Sequence, residues 1–378
     1  MKRTTLVALC LLVGCGRGNE DGGPAGFLPP SVLVRNLETG TSPLFVKVAD
    51  LDGDGAPEVM ASDRKGSQLQ VLSGPGLALL KNLPLTNSPG QVEVGDFVGD
   101  SRSDVAVALR DGTEVLLIDG ETSSRINVGT APQGLKAADL DGDGRLDLVV
   151  SNVGSNNLTV LFGQAAGGLG SPLTLTTGLA PVQVEVDDFD GDGKLDIAAS
   201  NFNSGSVSVF GNGGNRTFSL VQTLTVGNGA FGLLAVDVNR DGLRDLVVAN
   251  ELDGTLTRFL KVPGGLGNPA TFAIGQKPDC IAAADVDGDG FPELLVTLEG
   301  ESGIALVATD SQGVLTRIAL ATSLGGPVGI DAGDLEGDGT PEAISANFFG
   351  SGLSLLRFET PKNIDPYDPR NKKAPPPT

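Results

Sequence analysis

The sequence predicts an all-β fold, a seven-bladed β-propeller of four-stranded antiparallel blades, with the ring closed by an N-terminal strand in the last blade. Three observations predict it. An acidic nonapeptide recurs seven times, starting at Asp50, Asp96, Asp139, Asp188, Asp237, Asp285 and Asp334, with 43 to 49 residues between starts. A period of this size marks a solenoid, propeller or array. Each nonapeptide is flanked by short apolar or alternating stretches separated by glycine-bearing turns, and residues 31–360 contain no long run with a 3.6-residue period.

Within one unit the elements follow in a fixed order. An alternating stretch such as Pro181-Val-Gln-Val-Glu-Val-Asp precedes the acidic loop, and a continuously apolar run such as Leu148-Val-Val follows it. Continuous apolarity predicts a central strand covered on both faces, as when blades stack. Turns such as Asp111-Gly112 and Asp253-Gly254 then lead to a second apolar stretch, and a weaker fourth one, such as Leu173-Thr-Leu-Thr-Thr177, completes the unit. The seventh unit lacks its fourth strand. Residues 31–37, apolar and bounded by Pro29-Pro30 and Gly40, belong to no other unit and are predicted to pair outside 353–358.

The acidic loops carry the chemistry. Calcium takes six to eight oxygen ligands, and carboxylates at positions 1, 3, 5 and 9, with a main-chain carbonyl from position 7, can converge on one ion. Glycine at position 6 permits the sharp turn. The candidate ligands are Asp50, Asp52, Asp54 and Glu58 with the Ala56 carbonyl, and Asp139, Asp141, Asp143 and Asp147 with that of Arg145. The fourth unit offers Asp188, Asp190, Asp192 and Asp196 with Lys194, and the fifth Asp237, Asn239, Asp241 and Asp245 with Leu243. The sixth offers Asp285, Asp287, Asp289 and Glu293 with Phe291, and the seventh Asp334, Glu336, Asp338 and Glu342 with Thr340. About five or six calcium ions are expected. The second unit has Val98 at position 3 and Ser101 at position 6, which predicts an empty or weak site, and the longer Glu336 leaves the seventh geometry open.

Charge bookkeeping supports a bound cation. The net charge is −21, from 47 acidic and 26 basic residues; the loops hold 26 of the acids at ligand positions, leaving 21 elsewhere against 26 basic residues. The acidic excess therefore sits in the loops. It argues against nucleic acid, whose phosphates require a basic surface. An EF-hand is excluded because position 12 holds Ala61, Val107, Val150, Ala199, Val248, Val296 and Ser345, where a bidentate glutamate is needed.

The chain ends read differently. Lys2 and Arg3 precede an apolar run ending at Gly14, a secretory signal over residues 1–14. Leu12-Val13-Gly14-Cys15 resembles a bacterial lipobox; an ordinary signal with a chance cysteine is the alternative. The resemblance implies acylation of Cys15 and a chain held at the bacterial cell envelope by its lipid anchor alone. Residues 15–30 read as a flexible tether and 361–378 as a disordered proline-rich tail. With Cys10 removed and Cys15 acylated, Cys280 remains alone, so no internal disulfide is expected.

Loops and spacing together resemble the FG-GAP/VCBS repeat family, known from the integrin α-subunit propeller and bacterial surface proteins. Val209-Phe-Gly-Asn-Gly-Gly214 and Leu161-Phe-Gly163 add to the likeness. It implies calcium loops on one rim and a protein or glycan partner on the other, where the strand order places the turns between second and third strands, around Arg64, Arg110, Asn152, Asn201-Phe202, Asn250 and Phe348-Phe349. A monomeric binding, adhesion or scaffolding module is expected, without catalysis. The alternative is a calcium-dependent carbohydrate-active enzyme or lectin; it is disfavoured because the chain has no histidine and no tryptophan. The residues three before each loop start include Lys47, Glu93, Lys136, Glu185 and Asp331, predicting a charge arc round the innermost strands.

Overall fold

The computed structural model describes residues 6–7, 31–39, 42–74, 76–322 and 325–359. Cys15, the tether and the proline-rich tail lie outside the described residues.

Seven antiparallel sheets are arranged as blades. Blade 3 illustrates the plan: Pro132–Ala138, Asp147–Asn152, Asn157–Gly163 and Leu169–Thr176 pair in chain order, with the acidic loop between the first and second strands. The first strand of each blade packs against the first strands of its neighbours, and Pro327–Gly333 of blade 7 packs against Pro43–Ala49 of blade 1, which makes the ring. In blade 7 the fourth place is taken by Ser31–Glu38, antiparallel to Gly352–Glu359 with Ser31 opposite Glu359. The predicted closure is therefore the one observed. The two-residue strand Leu6–Val7 pairs with Arg35 and Val34 at its outer edge.

The core lies between blades, which explains the unbroken apolar runs. All six residues of every second strand are buried. Strand pleating sends alternate side chains to opposite faces. Thus Leu246 and Val248 pack with blade 4, while Val247 and Ala249 pack with blade 6. Each fully buried Leu or Val contributes about 1.5–3 kcal/mol relative to an exposed one. A run that alternated polar and apolar residues would leave one of the two interfaces without a core.

Hydroxyls at the end of these runs tie neighbouring blades. Ser151 Oγ donates to the Val182 carbonyl of the next blade (2.8 Å), Ser200 Oγ to Phe231 (2.6 Å) and Thr297 Oγ1 to Val328 (2.8 Å). Every first strand has a bulge near its start, which places these carbonyls within reach.

Candidate metal centres

Each acidic loop folds on its own carboxylates. In the third loop Asp139 Oδ1 accepts from the N–H groups of Gly142 (2.9 Å) and Asp143 (3.1 Å), and Oδ2 accepts from Gly144 (2.8 Å). Asp141 accepts from Asp143 N–H (3.1 Å) and Asp143 from Arg145 N–H (3.0 Å). The ninth-position carboxylate reaches back, with Asp147 accepting from Leu140 N–H (2.8 Å) and from Gly163 N–H on the third strand (2.8 Å). The sixth-position residue needs positive φ: Gly144 has φ 83°, and Ser101 takes the same region at 68° in the second loop. Loss of that glycine therefore leaves the turn in place, at a cost of about 1–2 kcal/mol for a side chain there.

A plug unread in the sequence anchors each loop. The second position is apolar, and Phe97, Leu140, Phe189, Val238, Val286 and Leu335 are all buried between blades. Its N–H donates to the ninth-position carboxylate, as Leu51 N–H does to Glu58 (2.9 Å) and Val286 N–H to Glu293 (3.2 Å). The signal available was the apolar residue that follows the first aspartate in every copy.

The carboxylates converge in five loops. Ligand oxygens of Asp50, Asp52 and Glu58 lie within 4.8 Å of one another, as do those of Asp139, Asp141 and Asp147, and of Asp188, Asp190 and Asp196. The same holds for Asp285, Asp287 and Asp289, and for Glu336, Asp338 and Glu342. In the fifth loop Asn239 donates its amide to Asp241 (2.9 Å), and Asp237 accepts from Gly242 N–H (2.8 Å). Position-7 residues such as Ala56, Leu243, Phe291 and Thr340 donate their N–H groups to the fifth-position carboxylates. All side-chain donors but Asn239 are carboxylate oxygens, a hard donor set that fits a calcium-like cation.

Burial works against charge on the ninth-position acids. It pushes Asp147 up to about 6 and Glu293 up to about 7, opposed by the backbone N–H donors and reinforced by neighbouring loop acids. Glu58, Asp196, Asp245 and Glu342 are raised by the same cause. A bound divalent cation would reverse that pressure.

Basic side chains already touch several loops. Arg216 from blade 4 pairs with Asp141 (2.5 Å) and Asp143 (3.2 Å) of blade 3, and Arg240 with Asp289 of the next blade (3.3 Å). Lys194 pairs with Asp192, Arg357 with Glu336 and Lys261 with Asp188. In the second loop Arg102 Nε donates to Asp100 (2.7 Å) beside the non-ligating Val98, so a built-in cation occupies that carboxylate.

The charge arc lines the channel at mid-height. Lys47 meets Glu93 at 3.3 Å and Lys136 meets Glu185 at 2.6 Å; Asp331 accepts from Val48 N–H (2.9 Å) across the closing interface. Burial disfavours the Lys47 ammonium, but Glu93 and Asp331 outweigh it and raise its pKa.

The turns between second and third strands surround the channel at the opposite face, where Arg64, Arg110, Phe202, Phe348 and Phe349 line a cavity of about 390 Å³. Asn152, Asn201 and Asn250, expected as partner contacts there, are instead buried and structural. Asn152 Oδ1 accepts from Gly129 N–H (3.1 Å) and Asn250 Oδ1 from Gly227 N–H (3.1 Å), because each closes the turn that leads into the first strand of its own blade.

Comparison with known proteins agrees with this architecture. Two crystal structures of BBS1N in complex with ARL6DN, one soaked with mercury and one with lead, superpose with a TM-score of 0.63 at 15% identity. They cover 85% and 87% of this chain and 96% and 99% of that chain. No curated protein matches the sequence. An FG-GAP-like repeat model matches residues 96–150, 139–199, 188–248, 237–296 and 285–345, each match running from one acidic loop into the blade after it. These five overlapping repeats span well over half of the sequence, and the chain belongs to the FG-GAP-like repeat family.

Proposed function

We propose that the protein is a calcium-stabilised binding module without catalysis, lipid-anchored at the cell envelope and presenting its non-loop face to a partner. The observation that carries the calcium reading is the convergence of three carboxylates in each of five loops, on a backbone whose N–H groups already hold them. Residues at positions 1, 3, 5 and 9, with the position-7 carbonyl, would hold the ion; it would neutralise their mutual repulsion and fix the loop.

A protein partner is in keeping with the BBS1N structures, in which that chain is in complex with ARL6DN. The strand order supports an orientation. Ser31 lies opposite Glu359 at the loop-bearing end of blade 7, so a tether leaving Ser31 starts on the calcium side. An anchor at Cys15 would then leave the opposite mouth free to face outward.

Calorimetric titration of the full chain with calcium tests the first part, with about five or six ions bound as the supporting result. Cys15→Ser should move the protein from membrane to soluble fractions with its unfolding transition unchanged. A glycan array with a lyase and hydrolase screen separates the binding reading from its rivals, since product formation would establish an enzyme.

A further inference from the structure

The propeller pairs ionisable groups along its channel but leaves others unpaired at the mouth. Inside, Lys47 pairs with Glu93 and Lys136 with Glu185. At the face opposite the loops, blades 1 and 2 contribute Arg64 and Arg110, and blades 5 and 6 contribute Glu251 and Asp279, all lining one cavity of about 390 Å³. Among the described residues none of these four has an ion-pair partner; the nearby Glu299 is taken by Lys277 (2.7 Å). Asp279 is 2% exposed, and its Oδ2 has no hydrogen-bond donor. Leaving a buried carboxylate oxygen unpartnered costs about 1–3 kcal/mol or more, so the site is incomplete as it stands.

The two poles are separated round the ring by aromatic surface. On one arc Phe202 and Phe231 meet edge to face, with centroids 6.3 Å apart, and on the other Phe348 and Phe349 do the same at 5.0 Å. Arg64 lies over the Phe348 ring, 5.8 Å from its centroid.

We propose that the mouth binds a dipolar ligand: an ammonium or guanidinium group at Asp279 and Glu251, a carboxylate at Arg64 and Arg110, and between them an apolar spacer against the phenylalanines. The proposal rests on the reading of this face as the partner surface and names its ligand chemistry. Electrostatics point the same way at both poles. Burial, with Glu251 and Glu299 beside it, pushes Asp279 up to about 9; burial and then Arg64 press Arg110 down to about 10. One ligand carrying both charges relieves both, whereas a cation or an anion alone relieves one.

Calorimetry of the full chain in saturating calcium tests this with ω-amino acids of increasing length, from aminobutyrate to aminododecanoate, against alkylamines and alkanoates of equal length. An optimal spacer should bind at least about tenfold tighter than either singly charged analogue. Glu251→Gln and Arg110→Gln should each weaken that ligand about tenfold, and Arg110→Gln should leave the alkylamine unchanged. Asp279→Asn should act like Glu251→Gln; Glu251 is the half-buried variant, chosen so that a folding defect at Asp279 does not decide the outcome. A terminally blocked Lys-(Gly)n-Glu peptide distinguishes sources: its binding assigns the ligand to a polypeptide segment, and its failure beside a binding ω-amino acid assigns a free zwitterion. Equal affinity for amino acid and amine at every length, no binding of any probe, or calcium itself bound at Asp279 overturns the proposal. If calcium still stabilises the chain in that case, the binding-module reading stands and the dipolar ligand alone falls.

Discussion

Asp139 and Asp141 are two residues apart and look equivalent as ligands, yet they hold different things. Asp139 takes three backbone N–H groups and shapes the turn, whereas Asp141 takes one and faces Arg216. Asp139→Ala should therefore lower stability with or without calcium, by about 1–2 kcal/mol in chelator. Asp141→Ala should remove mainly the calcium-dependent part; thermal unfolding of both variants in calcium and in chelator separates the two. Asp279 carries a pH signature. Its pKa stands near 9 in the fold against an ordinary 3.8, so between those values the folded state keeps a proton that the unfolded state releases. The stability it contributes is present at low pH and is lost as pH rises toward 9. Melting temperature in calcium should fall between pH 6 and pH 9, and fall less in Asp279→Asn; parallel profiles would contradict this. The loop acids were legible because their chemistry lies within nine consecutive residues. Asp279 was not, since Glu299 reaches it through the pairing of the first two strands of blade 6 and Glu251 through the packing of blade 5 on blade 6, both between residues more than 19 apart in sequence.

Elements were read from the sequence where a local pattern decides them. The missing fourth strand of the last unit and the unassigned apolar residues 31–37 implied one another, and Ser31–Glu38 does pair with Gly352–Glu359. Deleting residues 31–38 should expose that edge and lower the melting point sharply or cause aggregation, while deleting 16–28 should do little; equal small effects from both deletions would refute the closure. The bulges were not legible, because they arise from the fit between blades. Gly329 shows why: a Cβ there would lie 2.6 Å from the Leu44 carbonyl oxygen of blade 1. Gly329→Ala should destabilise by about 1–3 kcal/mol through overpacking at the closing interface. Melts of this variant beside wild type check it, and an unchanged transition would mean that blades 7 and 1 are not so close.

At the scale of the molecule, no blade has a core of its own. Each hydrophobic cluster spans at least two neighbours, from Phe97 with Leu148 between blades 2 and 3 to Val59 with Ile344 between blades 1 and 7, and one joins blades 6, 7 and 1. Unfolding is then expected to be cooperative round the ring, and a loop that holds the first and second strands of one blade stabilises both adjoining interfaces. That is how calcium in exposed loops can act on a distant mouth: by holding the blades whose turns form it. For extracellular-type affinities of about 10⁻⁴–10⁻³ M, millimolar calcium adds about 0.4–1.4 kcal/mol per site, or about 2–7 kcal/mol over five independent sites. Thermal unfolding of the full chain in millimolar calcium and in chelator, at one ionic strength and pH, measures this directly. A single transition shifted upward by several degrees in calcium is the predicted result, and superimposable curves would contradict calcium binding by the loops.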